Sequence, residues 1–373
     1  MRLNNTGAWQ PGDPPGNRRF VTTHPADAPL PLRCGRDLGP VTMAYESWGA
    51  LAPDRSNAVL ILPPLTMASH AAGPAGPGHR AEGWWNSLIG PGKAVDTDRF
   101  HVVVINNLGG CDGSTGPASL DAEGRPWASR FPALEIRDQV DAEAALADAL
   151  GIERWHAVVG MSIGGARALE WAVSRPDRVD RLLLVAASAR TWIEQAGQLN
   201  IELELIQRDP HFHGGEFYHL PEGCGPSTGS ALARSFSHMR YGTESYWQDR
   251  FGGEAWNQDP DGCHDRFRAY VLAQGDKLWE RFDANSNLVL SEAALRATVG
   301  RGRASVEDAL ARVTARTHVV GFTTDRAYPP AAQRELAVGI KGATAHILET
   351  DLGHYGFMLA PHLVEPYLRL TVG

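Results

Sequence analysis

The chain of 373 residues is long enough to bury roughly three quarters of the surface its unfolded form exposes, and a composition 43% hydrophobic and 21% charged excludes a globally disordered protein. A formal charge of −8 with no clustered Lys/Arg run excludes a nucleic-acid partner, whose footprint is basic. Nowhere do the ~18 consecutive apolar residues of a membrane span occur, so no membrane partner is expected.

Residues 1–30, beginning "MRLNNTGAWQPGDPPGNRRF", are rich in Pro, Gly and Asn and contain no apolar stretch of signal-peptide type. They read as an extended arm over the body of the protein. Candidate strands follow at "VTMAYESW" (41–48), "AVLILPP" (58–64), "FHVVVINN" (100–107), "WHAVVGMS" (155–162) and "RLLLVAAS" (181–188), with helical patterns at 136–150 and 165–175 between them. Several of these runs are apolar on both faces, as helices covering both sides of a parallel sheet require.

Between 189 and 312 the alternation stops, and stretches such as "WIEQAGQLNIELELIQRDP" (192–210) and "GSALARSFSHMRYGTESYW" (229–247) read as helices and loops. A helical insertion placed where the strands' carboxyl ends open is expected, in the position of a lid. Strand, helix and strand resume at 317–325, 330–340 and 345–351. The expected fold is α/β, mostly parallel and doubly wound, with its core divided into 31–188 and 313–373 around the lid at 189–312. Cys34, Cys111, Cys224 and Cys263 lie far apart and match neither a disulfide framework nor a zinc-ligand spacing. A reducing cytoplasm is the expected location.

Gly160-Met161-Ser162-Ile163-Gly164 fits G-x-S-x-G between a strand and a helix, the sharp turn that thrusts a serine hydroxyl out at the sheet's edge. A serine needs a base to take its proton and a carboxylate to orient that base. In α/β-hydrolases the chain order is Ser, Asp or Glu, His, each after a strand. Asp325 ends "THVVGFTTD" and His354 follows "AHILETD". Glu349 and Asp351 precede His354 too closely to reach round it from a separate strand end, and His346 lies inside a strand pattern as a packing residue. Oxyanion donors are expected from the N–H groups of Ile163 and of Leu65, since Pro63 and Pro64 have none. The loop "NNLGGCDGSTGP" (106–117) lacks the Lys-Ser/Thr of a phosphate-binding loop and reads as structural, with Cys111 small and buried.

Together "GWWNSLIGPGKAVDTDRFHVVVINNLGGCDGSTGPAS", "GRPWASRFPALEIRDQV", "GMSIGGARALEWAV", "DPHFHGGEFY" and "TTDRAYPP" resemble the homoserine O-acetyltransferase family of α/β-hydrolases, in order from about residue 40 to the C-terminus. The resemblance implies an α/β-hydrolase core with a helical lid, a triad of Ser162, Asp325 and His354, and a homodimer joined through lid helices. It also implies transfer of acetyl from acetyl-CoA to the serine and then to homoserine. The family pattern holds that zwitterion with a lid-helix arginine, in "NEVxRxAIxxDP", and with an aspartate after the histidine, in "GHDxF".

The sequence departs at these places. Counting back from Asp209-Pro210 puts Leu203 at the arginine position, with Glu202 or Glu204 one step either side. Tyr355 follows His354, and Met67 in "PLTM" stands where the family stretch "ALTG" has glycine. Arg190, Arg208 or Arg167 could take over the acceptor's carboxylate, although Arg167 reads better as packing beneath the elbow. Without counter-charges a zwitterion is costly to bury, so Met67, Leu203 and Tyr355 predict a small apolar substrate pocket. The expected activity is that of a serine carboxylic-ester hydrolase for short acyl (acetyl) esters of small alcohols, with water receiving the acyl group. It would take a small-molecule ester and need no cofactor and no metal. The alternative is an acyl-CoA-dependent O-acetyltransferase acting on homoserine or serine.

Overall fold

The computed structural model describes residues 2–373, the side chains at 254 and 256 excepted. Among the described residues eight strands form one sheet: β1 (Arg19–His24), β2 (Val41–Trp48), β3 (Ala58–Leu62), β4 (His101–Ile105), β5 (Ala157–Met161), β6 (Arg181–Val185), β7 (Arg316–Phe322) and β8 (Thr344–Leu348). Their spatial order is β1-β2-β4-β3-β5-β6-β7-β8. β2 runs antiparallel to both β1 and β4, and every pairing from β4 to β8 is parallel.

The central strands are apolar throughout because both sheet faces are covered. Leu60, Leu62, Val103, Leu182 and Leu184 enter one core, while the alternating Val59, Ile61, Val102, Val104, Leu183 and Val185 enter the other. Each fully buried side chain of this kind contributes about 1.5–3 kcal/mol. Within the segment expected to be an extended arm, β1 is an edge strand in register with β2, Phe20 opposite Ala44 and Val21 opposite Met43. Its half-exposed pattern carries little apolar signal of its own.

Helix α1 (Ile136–Ala149) precedes β5, and α2 (Ile163–Ser174) follows it directly. Between β6 and β7 lie α3 (Ile193–Gln207), α4 (Ser227–Tyr241), α5 (Glu244–Phe251), α6 (Glu254–Gln258), α7 (Pro260–Trp279), α8 (Ala284–Leu295) and α9 (Val306–Leu310). α4 packs on α3 and α7, and α3 on α8. Within the helix-and-loop stretch 229–247, α4 and α5 are separated at Gly242, because the Thr243 side chain accepts from Tyr246 N–H at 3.1 Å and starts α5. α10 (Pro330–Gly339) links β7 to β8, and α11 (Gly356–Leu359) and α12 (Glu365–Val372) complete the chain. Among the described residues no helix is long and apolar enough to cross a membrane.

Candidate active site

Ser162 sits between the end of β5 and the first turn of α2 with φ 54° and ψ −128°, a conformation that side-chain-bearing residues rarely adopt. Close packing on either side enforces it. A Cβ on Gly160 would lie 2.3 Å from Gly164 O, and one on Gly164 would lie 2.1 Å from Leu62 O, so only glycine lets α2 approach β3 and β5 this closely. Ser162 N–H donates to Val185 O at 3.0 Å, which ties the turn to β6.

His354 comes from the turn after β8 and Asp325 from the loop after β7. Ser162 Oγ lies 3.0 Å from His354 Nε2, and His354 Nδ1 donates to Asp325 Oδ2 at 2.7 Å. The remaining oxygen, Asp325 Oδ1, accepts from Ala327 N–H at 2.8 Å and Tyr328 N–H at 2.9 Å, so the buried carboxylate is satisfied on both sides. Tyr328, unnoticed in the sequence beyond its place in "TTDRAYPP", stacks on the imidazole with centroids 5.3 Å apart and planes 20° apart. Burial pushes its phenol up to about 12, against the opposing pull of Ser162 and Gln195. Tyr241 and Phe357 bring two further rings to His354, with centroids 5.1 and 5.2 Å away.

The loop after β3 lies opposite the serine. Leu65 lines the same cavity as Ser162 and His354, Asn107 Nδ2 donates to Leu65 O at 3.0 Å, and Met67 N–H donates to Pro64 O at 3.1 Å. Ile163 N–H opens α2, where the first N–H groups have no intrahelical acceptor. Arg167 is fully buried beneath the elbow, donating to Glu143 Oε1 at 3.0 Å and to Pro63 O at 3.1 Å. It therefore couples α2 to the loop and lies away from the cavity.

Glu46, His70 and His79 place possible ligand atoms within 4.8 Å of one another. The two imidazoles stack 3.7 Å apart with planes 7° apart, and His70 Nδ1 and His79 Nε2 both face the Glu46 carboxylate, at 3.0 and 3.7 Å. Asn17 N–H already donates to His79 Nε2 at 3.0 Å. Glu46 accepts from Ser69 Oγ at 2.9 Å and lies 3.0 Å from His70 Nδ1, bracing this loop against β2.

The cavity above the serine measures about 120 Å³. Met67 and Tyr355 line it, as does Leu199. Leu203 does not: it turns the other way and packs with Ile206, Phe217 and Leu288, which corrects the ungapped count that made it a substrate contact. One position along a helix is about 100° of rotation, and the neighbouring Glu202 is the side chain that faces the cavity. Its carboxyl is pushed up to about 7 by burial, with Ser237, Arg240 and Arg234 pulling the other way.

Arg234 of α4 lines the same cavity and rests its guanidinium over the Tyr241 ring, 5.9 Å from the centroid. None of the ion pairs among the described residues includes Arg234 or Glu202. The sequence held a signal for both. Arg234, Ser237 and Tyr241 stand at i, i+3 and i+7 of α4, and Leu199 and Glu202 at i and i+3 of α3, so each set occupies one inward helical face. The expectation of a pocket without ionic groups is thereby corrected.

A family described as the alpha/beta hydrolase fold matches residues 58–205. A homoserine O-acetyltransferase of Thermobifida fusca (strain YX) is 49% identical over 367 residues, covering 98% of this chain and 96% of the relative. Among solved structures, a homoserine O-acetyltransferase from Bacillus anthracis matches with a TM-score of 0.85 at 27% identity, over 95% of this chain and 96% of that one. Esterase E22 matches with a TM-score of 0.83 at 26% identity, over 95% and 99%. Shape is common to the acetyltransferase and the esterase, so backbone likeness does not separate them. Sequence identity over nearly the whole chain does, and with the charged cavity it overturns the expected short-ester hydrolase.

Proposed function

Because this chain belongs to the homoserine O-acetyltransferase family of α/β-hydrolases, we propose that it moves an acetyl group from acetyl-CoA to the side-chain hydroxyl of homoserine or serine. Ser162 Oγ attacks the thioester carbonyl as His354 Nε2 takes its proton, and the N–H groups of Leu65 and Ile163 receive the developing oxyanion. The C–S bond breaks, the thiol leaves with the proton from His354, and Ser162 is left acetylated. The acceptor hydroxyl then loses its proton to His354 and attacks the acetyl carbonyl. The C–Oγ bond breaks and the proton returns to Ser162. Asp325 holds the imidazole in the tautomer both halves need.

A single observation carries the choice of acceptor: the Arg234 guanidinium, outside every ion pair among the described residues, shares a cavity with Ser162 and His354. A fixed cation there suits the carboxylate of an amino-acid acceptor. Held at high effective molarity, that acceptor outcompetes water for the acyl-enzyme. In this reading the helices between β6 and β7 act as a lid. The outer faces of α3 and α4, where exposed Ile201 and Leu232 flank a groove of about 550 Å³, are the contact of a homodimer. Four free cysteines suit a cytoplasmic location.

Thiol release from acetyl-CoA by the purified protein, measured with and without L-homoserine or L-serine, tests the proposal. Release that requires one of these amino acids, with formation of its O-acetyl ester, is the expected result. Rapid hydrolysis of p-nitrophenyl acetate together with no acceptor-dependent thiol release would reject it.

A further inference from the structure

The family pattern places the ammonium's counter-charge directly after the triad histidine, and here that position holds Tyr355. Its hydroxyl is already engaged: it donates to His238 O at 2.9 Å and also lies against His238 Nδ1. His238 in turn is 3.2 Å from Tyr270 through Nε2. Tyr355 therefore locks the turn that carries His354 to α4 and has no charge to offer a cation. The cavity nevertheless contains a carboxylate, supplied by a different element.

Glu202 projects from the middle of α3 into the same cavity as Ser162, Arg234 and His354 and is only 8% exposed. Asn287 and Ser291 of α8 line the cavity beside it. Arg234, Ser237, Arg240 and Tyr241 approach from α4, and His354 and Tyr355 line the cavity from the turn after β8. Neither arginine comes within ion-pair distance of Glu202. A buried carboxylate without a cation in contact is costly, and a guest carrying an ammonium group would supply that cation.

We propose that Glu202 binds the ammonium group of the amino-acid acceptor, forming with Arg234 a two-ended clamp that orients the acceptor hydroxyl toward the acetylated serine. This rests on the acetyltransferase reading and adds to it a specificity residue on α3. The counter-charge has moved from the strand-end turn to the lid, so lid and acceptor are coupled directly. A hydroxy acid lacking the ammonium group, such as 4-hydroxybutyrate, keeps its partner in Arg234 and loses the one in Glu202.

Steady-state kinetics of the full chain with acetyl-CoA, comparing L-homoserine with 4-hydroxybutyrate in wild type, Glu202→Gln and Glu202→Asp, tests this. Wild type is expected to prefer homoserine by at least about 100-fold in kcat/KM. Glu202→Gln should raise the homoserine KM by roughly 30-fold or more and bring the two acceptors to within a few-fold of each other, while Glu202→Asp recovers part of the preference. Calorimetric titration of Ser162→Ala with homoserine, with and without Glu202→Gln, gives the same comparison without turnover. A homoserine-dependent wild type whose KM and preference survive Glu202→Gln overturns the proposal alone. A wild type that releases no thiol in response to either homoserine or serine overturns the acetyltransferase reading and the clamp together.

Discussion

Glu202 and Arg234 reach one cavity from two packed helices, α3 and α4, and the same cavity contains the Ser162–His354 pair. The reactive hydroxyl and the two charges are thus supplied by separate parts of the fold, the sheet edge and the helical insertion. Substitutions in one part should therefore change kinetics differently from substitutions in the other.

Ser162→Ala removes the nucleophile without disturbing the strand-to-helix turn. Acetyl-CoA turnover should fall by at least about 10³-fold, and mass spectrometry after brief exposure to acetyl-CoA should find a 42-Da adduct on wild type (about the mass of one acetyl in place of hydrogen, as acyl-enzyme catalysis requires) and none on the variant. An adduct that persists in Ser162→Ala would place the acyl group elsewhere.

Arg234→Met keeps much of the side chain's bulk and removes its charge. The expected effect is a rise in the acceptor KM of about 30-fold or more with a smaller change in the KM for acetyl-CoA, as loss of one buried charged contact implies. Arg234→Lys should recover only part, since a point ammonium lacks the planar fork that matches a carboxylate. Equal rises in both KM values would point to a distorted cavity.

Glu202 gives a pH dependence of definite sign. Its carboxyl is raised from 4.5 to about 7 in the folded protein, so the charged form is lost as pH falls through about 7. The homoserine KM should rise on that side, and this limb should vanish in Glu202→Gln. Stability follows the opposite sense. A folded-state value above the unfolded one contributes stability that is complete below about pH 4.5 and is lost as pH rises to about 7. Over that interval Glu202→Gln should gain on wild type by up to about 3 kcal/mol. Urea melts at pH 5 and pH 8 measure this difference, and equal gaps at both would contradict it.

Arg167 and Glu143 form a buried ion pair beneath the elbow, with Trp171 Nε1 donating to Glu143 Oε2 at 2.7 Å. Arg167→Met alone leaves an unpaired buried acid and should cost roughly 3–5 kcal/mol. Adding Glu143→Gln should return part of that loss, because the stranded charge is gone. Arg167 also donates to Pro63 O, so kcat should fall in both variants through the displaced loop even where stability returns. Chemical denaturation and steady-state rates on the two variants separate these effects.

The central strands could be read because both sheet faces are buried, which turns β3, β4, β5 and β6 into short continuous apolar runs. The elbow could be read because its glycines answer a local steric demand within five residues. Asp325 and His354 were legible from chain order and from their places after strands. β1 was not, since a half-exposed edge strand is defined by the hydrogen bonds of its partner more than by its own side chains. Arg234 was missed, and Glu202 was named only as a one-step alternative to Leu203, for a geometric reason. An ungapped count that errs by one residue on a helix selects the wrong face, and an inward face bearing Arg, Ser and Tyr gives no apolar stripe by which to orient the helix.

The hydroxyl and the imidazole that meet at 3.0 Å are 192 positions apart along the chain, whereas the imidazole and its carboxylate are 29 apart. Bringing such distant segments together costs loop-closure entropy that local pairing avoids. The dyad's two residues follow the adjacent strands β7 and β8, but the nucleophile joins them only when the two halves of the sheet have met across the whole insertion. Regained activity therefore reports completion of the entire molecule and should trail the return of helical signal during refolding.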